Sequence, residues 1–252
     1  MKIHKVAFWS YSSHLKNKVL PSIKNSKNIK VVGIFSNNIS VTKDSFFKNK
    51  KIWDNELSFL LDSNFDTVYI SSPNSKHYKN SIKCLKFNKN VICEKPLSLS
   101  YQQSKYIIGL FNKKKKYIFE VFQYVFHPAF KKINQIIRKK TLGELVFINA
   151  NFSVPINDKK NIRFSKKLGG GSLLDLGVYP LSIIFSLFDQ PKINIIKSVM
   201  FFDKKLKIDL RGNSLIKIQN TIFNFQWGFN TAYKNNIELI GKKGNLLCEF
   251  FF

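Results

Sequence analysis

Arginine is the scarcest charged residue in this chain: of 42 basic side chains only Arg138, Arg163 and Arg211 are arginine, and only 15 residues are acidic. The formal net charge of +27 invites a nucleic-acid reading. However, bidentate recognition of phosphates and base edges leans on arginine, and the lysines are scattered along the whole chain rather than clustered. With so much Asn, Ile and Phe, the composition matches what AT-rich codons yield. Sequence-specific nucleic-acid binding is therefore not expected, and a basic surface-binding protein is the weakest of three readings. The run Lys113 to Lys116 follows an apolar-periodic helix, where cations complement the helix C-terminal dipole.

Long apolar runs are also lacking. The longest, Leu176 to Phe188, is 13 residues with serines and a proline inside it, short of the roughly 20 that a membrane span needs. Residues 1–10 have neither the apolar length nor the small-residue cleavage site of a signal peptide. Cysteine is sparse: Cys84, Cys93 and Cys248 are odd in number and at no metal-ligand spacing. That excludes a disulfide framework and points to thiols in a reducing compartment, the cytoplasm. His4, His14 and His127 form no spaced cluster, so no metal is expected. The Asn-x-Ser tripeptides at Asn38 and Asn151 have no role in that compartment.

What is present is a core: 44% of residues are hydrophobic. Apolar, β-branched runs at 5–9, 29–35, 67–71, 91–93 and 117–121 read as strands. Helical stretches at 14–24, 57–61, 77–87 and 100–111 separate them. Near-continuous apolar strands alternating with helices predict a doubly wound parallel sheet of Rossmann type, with its ligand crevice at the carboxyl ends of the strands. The pattern changes after Val121. A helix at 128–139, a strand at 144–152 and a helix at 169–188 precede strands at 194–202, 215–218, 221–227 and 237–240, an α+β arrangement on a mainly antiparallel sheet. The expected domains are 1–121 and 122–252.

Two motifs carry chemistry. Ser72-Pro73-Asn74-Ser75-Lys76-His77 and Cys93-Glu94-Lys95-Pro96 each end a predicted parallel strand, with a helix between them. Either alone marks an ordinary turn; together they occupy the edge where an α/β sheet binds ligands. Farther on, Gly169-Gly170-Gly171 leads into a helix carrying Asp175 and Tyr179, which at i, i+4 spacing share one face. An Asp buried among apolar residues needs a partner. The alternative is an Asp that caps a turn and a Tyr that fills the core.

With His127-Pro128 opening the next helix and Leu142-Gly143-Glu144 before a strand, the stretch from Asp66 to Gly143 resembles the Gfo/Idh/MocA family of sugar oxidoreductases. The resemblance implies an NAD(P)-binding domain at 1–121 and a substrate-binding domain at 122–252. The implied reaction is hydride transfer between a nicotinamide and a carbinol carbon of a sugar or related polyhydroxy compound. It makes Tyr179 the general acid/base, Lys95 the electrostatic stabiliser and a ribose contact, and Asp175 the orienter. Tyrosine, with an ordinary pKa of about 10, needs a cation to act as a base, and Lys95 supplies one. Cofactor contacts are expected from Ser10, Tyr11, Ser12, Ser13, Asn37, Ser72, Pro73, Asn74, His77, Glu94 and Lys95.

Two departures stand out. Where the family has Gly-x-Gly-x-x-Gly/Ala, this chain has Ser10-Tyr11-Ser12-Ser13-His14-Leu15, and the bulk of Leu15 is expected to push the helix off the sheet and weaken phosphate contacts. The second predicted strand ends in Ser36-Asn37-Asn38, without the carboxylate that holds a ribose 2′-hydroxyl, which leaves NAD or NADP open with a lean to NADP. A degenerate, non-catalytic relative that keeps a sugar-binding cleft is the alternative reading. The chain also stops at Phe250-Phe251-Phe252, where the family adds further strands or a helix after the Gly241 to Gly244 turn. The expectation is a shortened second domain with an exposed apolar last strand, and a homodimer pairing through the sheet of that domain.

Overall fold

The computed structural model describes residues 3–158 and 160–252. The chain separates into two compact units, Met1–Val121 and Phe122–Phe252.

The first unit is a six-stranded sheet in the order β3-β2-β1-β4-β5-β6. Its strands are β1 (His4–Trp9), β2 (Ile29–Phe35), β3 (Lys51–Trp53), β4 (Thr67–Ile70), β5 (Asn90–Glu94) and β6 (Ile118–Val121). Every pair is parallel. This is the doubly wound arrangement, with its order reversal beside β1. Val6, Ala7, Phe8 and Trp9 are all buried, as a strand covered on both faces requires. Strand β3 escapes a reading by pattern because it is three residues long with a lysine at its head.

Helices α2 (Glu56–Leu61), α3 (Asn74–Lys86) and α4 (Tyr101–Lys113) follow successive strands. On α3 the buried face is His77, Asn80, Ser81, Cys84 and Leu85. That face is largely polar, so apolar periodicity places the start of the helix three residues too late. The Ser100 side chain accepts from the Gln103 N–H and caps α4.

The first helix corrects an expectation. Leu15 does not displace it; the side chain is fully buried among Val6, Phe8, Leu20, Val31 and Ile34. The backbone makes room by widening. Leu15–Val19 is a π-helical turn, with the Leu20 N–H donating to the Leu15 carbonyl, before α1 (Leu20–Lys24) resumes normal pitch.

The second unit is a six-stranded sheet in the order β12-β11-β7-β10-β9-β8. It comprises β7 (Leu145–Val154), β8 (Ile193–Asp203), β9 (Ile208–Ile218), β10 (Thr221–Phe229), β11 (Lys234–Gly241) and β12 (Gly244–Glu249). All pairs are antiparallel except β7 with β10. Helices α5 (Pro128–Arg138) and α6 (Val178–Leu187) supply Phe130, Ile133, Ile183 and Ile184 to a core shared with Ile148, Phe223, Phe225, Trp227 and Leu239. Strand β9 begins seven residues before the predicted 215–218: Ile208 to Asn213 alternates apolar and polar residues, the pattern of a half-buried strand, and forms a ladder with β8.

Of the last three aromatic residues Phe250 is exposed, as expected, whereas the two after it pack inward. Phe251 is buried against Tyr124 and Phe130, and Phe252 stacks on Phe152 with its N–H donating to Asn235 Oδ1. Exposed apolar surface lies on both edge strands, at Leu247 of β12 and on β8, where Ile195, Phe201 and Phe202 are each more than half exposed. The helical run Lys166–Leu187 is long and apolar enough to cross a membrane by length and composition alone. It is nonetheless broken into short pieces around Gly169 and Gly171, which have positive φ, and it buries Leu176, Ile183 and Ile184 in this unit's core.

Candidate active site

At the carboxyl edge of the parallel sheet the chain turns sharply after β1. Ser10 takes a φ of +80°, the left-handed conformation a glycine would adopt without strain. The Ser10 N–H donates to the Phe35 carbonyl, and the Ser71 hydroxyl donates to the Ser10 carbonyl at 2.7 Å. The next residues are anchored by side chains. The Tyr11 N–H donates to Ser36 Oγ, and its hydroxyl donates to Asp44 Oδ2 at 2.5 Å. Burial, then the Asp44 hydrogen bond and charge, push the Tyr11 phenol up to about 12. Ser12 Oγ accepts from the Leu15 N–H at 3.0 Å, doing the work of a helix cap. Ser13 and Asn37 are exposed; the β2 end is organised by Ser36 Oγ and by Asn38, whose side chain accepts from the Ser40 N–H.

Strands β4 and β5 deliver the two motif turns side by side. Ser72, His77 and Glu94 are buried, and Pro73, Asn74 and Lys95 are half-buried. His77 joins the turns: Nε2 lies 2.7 Å from the Ser72 carbonyl oxygen and Nδ1 2.7 Å from that of Pro96. Burial pulls the His77 pKa below the ordinary histidine value, against both carbonyl contacts and the Glu94 charge. Asn80 donates to Ser72 Oγ at 3.1 Å. The imidazole is thus a brace beneath the turns, only 1% exposed.

Glu94 accepts from the Tyr69 hydroxyl and lies 3.1 Å from His14 Nε2 in the altered loop. Burial raises its pKa, but the His14 hydrogen bond and charge and the Tyr69 hydroxyl outweigh it and leave the carboxylate below its usual range. Glu120 on β6 accepts from the Leu97 N–H at 2.7 Å, and burial raises its pKa against that bond and the Lys95 charge. The charge of Lys95, one residue beyond β5, acts on all three neighbours of the turn, pulling the pKa values of Glu94, Glu120 and His77 down. The Lys95-Pro96 peptide bond is cis.

In the second unit Asp175 is buried in a π-helical turn (Leu173–Gly177) that runs straight into α6. Arg163 Nε donates to Asp175 Oδ2 at 2.5 Å. Tyr179, half-buried, sits among aromatic rings, with centroids at 5.1 Å from Phe152, 5.6 Å from Phe122 and 6.1 Å from Phe252. Sequence reading thus singled out Asp175 and Tyr179 but missed Arg163, and in the first unit missed Tyr69, Glu120 and the role of His14. Only Arg163 had a usable signal, as one of three arginines in a lysine-rich chain. Among the described residues no group of three or more His, Cys, Asp or Glu is placed to hold a metal ion.

Known proteins show the same two-part pattern. Residues 12–122 match the family described as "Oxidoreductase family, NAD-binding Rossmann fold", and residues 130–247 match the "GFO/IDH/MocA C-terminal domain". The chain belongs to the Gfo/Idh/MocA family. A dTDP-3,4-didehydro-2,6-dideoxy-α-D-glucose 3-reductase from Actinomadura kijaniata is 28% identical over 74% of this chain and 56% of its own. A trans-1,2-dihydrobenzene-1,2-diol dehydrogenase from Xenopus laevis is 32% identical over 52% of this chain and 39% of its own. The chain spans about half the length of the curated relatives it matches. Among solved structures, a 3-ketoreductase from Actinomadura kijaniata in complex with NADP and TDP-benzene superposes with a TM-score of 0.93 at 22% identity, over 100% of this chain and 78% of its own. That likeness establishes the fold.

Proposed function

We propose that this chain is an NAD(P)-dependent oxidoreductase that transfers hydride between a nicotinamide and a carbinol or keto carbon of a sugar or sugar derivative. The observation that carries the reading is Lys95, one residue past β5 at the carboxyl edge of an NAD-binding fold, where its charge acts on the buried carboxyls of Glu94 and Glu120.

The first unit fits a dinucleotide. Ser10 holds the left-handed turn that the first glycine of such loops supplies. Ser12 and Ser13 bring backbone N–H groups to the head of the first helix, where the dipole favours phosphate. The Ser12 hydroxyl, an acceptor for the Leu15 N–H, still has its proton to donate. Asn37 would face the adenosine ribose, and the absence of a carboxylate at the β2 end favours NADP, the cofactor in the ketoreductase complex. Ser72, Pro73, Asn74, Glu94 and Lys95 would line the nicotinamide end, and His77 would hold their turns in place. The bound nicotinamide supplies or accepts the hydride.

The protein's own residues handle the proton. Tyr179 gives a proton to, or takes it from, the substrate oxygen; Lys95 stabilises negative charge developing there; Asp175 orients the substrate or Tyr179. The names of the relatives support a nucleotide-linked keto-sugar or a free diol as substrate class. We place the enzyme in the reducing cytoplasm, with Cys84 and Cys93 as buried thiols, and as a homodimer formed through the sheet of the second unit, whose strand β8 exposes Ile195, Phe201 and Phe202. The test is NADPH oxidation with dTDP-linked keto-sugars, and NADP⁺ reduction with aldoses and diols. Turnover that is lost in Tyr179→Phe supports the reading. Equal turnover in Tyr179→Phe removes Tyr179 from proton transfer, and no turnover with any of these substrates contradicts the substrate class.

A further inference from the structure

We infer that Arg163 is the positioning residue for Asp175, fixing that carboxylate in place and compensating its charge so that Asp175 serves the site as a held anion. The inference rests on the proposed role of Asp175. Arg163 lies on a short 3₁₀ turn (Ile162–Phe164), twelve residues before its partner and outside the helix that carries it. Its side chain is 45% exposed while that of Asp175 is 11% exposed, so the guanidinium joins a mostly buried carboxylate to the surface.

The backbone between them is built to keep this pairing. The Asn161 side chain accepts from the Arg163 N–H at 3.1 Å. The Gly171 N–H donates to the Arg163 carbonyl at 3.0 Å, and the Asp175 N–H donates in turn to the Gly171 carbonyl at 3.3 Å. Two glycines make the approach possible. A Cβ on Gly170 would lie 2.3 Å from the Arg163 carbonyl oxygen, and one on Gly171, where φ is +124°, would lie 2.4 Å from Asp209 Oδ1. Asp209 Oδ2 then accepts from the Ser172 hydroxyl and the Leu173 N–H, each at 2.6 Å, and pins the turn that presents Asp175. The triple glycine thus folds the Arg163 loop onto the Asp175 turn. Lysine would not reproduce the contact, because the bonded atom is Nε, within the rigid guanidinium plane, rather than a rotatable terminal ammonium.

The test uses the full chain with Arg163→Gln, Arg163→Lys, Asp175→Asn and the double variant Arg163→Gln/Asp175→Asn. Arg163→Gln should lower kcat by about 10- to 100-fold while leaving the KM for NADPH unchanged, and Arg163→Lys should recover only part of the loss. In the Asp175→Asn background the Arg163→Gln change should have no further effect, because a residue acting through another contributes nothing once that other is gone. Additive losses would overturn the inference, as would loss of NADPH binding in step with kcat.

A readout independent of turnover separates this inference from the reading beneath it. In carbon-13 NMR the Asp175 carboxyl should titrate at higher pH in Arg163→Gln than in the parent, since an opposite charge that favours the ionised form has gone. An unmoved titration overturns the positioning role even if the enzyme turns over. If no turnover is found with any sugar, the substrate reading is what fails, and the shifted titration still supports Arg163. If Arg163→Gln does not fold, the same titration in Arg163→Lys, which keeps the charge and loses the Nε contact, should show a smaller upward shift; no shift there overturns the inference.

Discussion

The His77 imidazole ties two turns that are remote in sequence, with Nδ1 2.7 Å from the carbonyl oxygen of Pro96 and Nε2 2.7 Å from that of Ser72. Its pKa is lowered in the folded protein, chiefly by burial. As pH falls below the ordinary histidine value of about 6.5, the unfolded chain takes up the proton first, so the stability contributed above that pH is lost on acidification. The urea midpoint should drop between pH 8 and pH 5.5, and drop less in His77→Gln. Equal pH slopes in the two proteins would show that His77 is not the group responsible.

Ser10 and Leu15 should respond oppositely to substitution. Ser10 is held at φ +80°, where a non-glycine residue costs about 1–2 kcal/mol, so Ser10→Gly should raise stability by about 1 kcal/mol. Leu15 is fully buried, and Leu15→Ala should cost about 2–5 kcal/mol. Chemical denaturation of each variant reads both effects directly; a stabilising Leu15→Ala would mean that the widened turn is a strained site rather than a packed one.

Lys95→Ala should lower kcat by about 100-fold or more, the usual effect of deleting a charge that acts on the transition state. Steady-state kinetics with any accepted sugar measures this. Unchanged kcat would remove Lys95 from the chemistry and would require another cation in its place.

The charge of +27 predicts only weak, sequence-blind DNA binding, largely lost at moderate salt, because exposed charges are screened over about 10 Å at 0.1 M ionic strength. Fluorescence anisotropy with two unrelated duplexes at low and physiological salt checks it. Tight binding that distinguishes the duplexes at physiological salt would restore a nucleic-acid role.

Where burial follows apolar pattern, the fold can be read from residues alone. Strands β1, β2 and β4 are near-continuous apolar runs, and both motif turns stand at strand ends as their sequence suggests. Features held by polar contacts stay hidden. The buried face of α3 is built on His77, Asn80 and Ser81. The candidate site divides in the same way. Lys95 and Asp175 are recognisable in their motifs, whereas the Arg163 partner of Asp175 and the His14 partner of Glu94 lie twelve and eighty residues away in the chain, joined by geometry alone. Leu15 shows the opposite error: a bulky residue in a glycine loop reads as a clash, yet the backbone absorbs it in a π-helical turn.

Whether the Ser10 to Ser13 loop still holds a dinucleotide is read by calorimetric titration of the folded chain with NADPH. Saturable heat is expected at or below millimolar NADPH, with weaker binding of NADH, because the loop keeps a left-handed turn and N–H donors at the head of a helix. No heat from a folded sample at millimolar NADPH or NADH would contradict it.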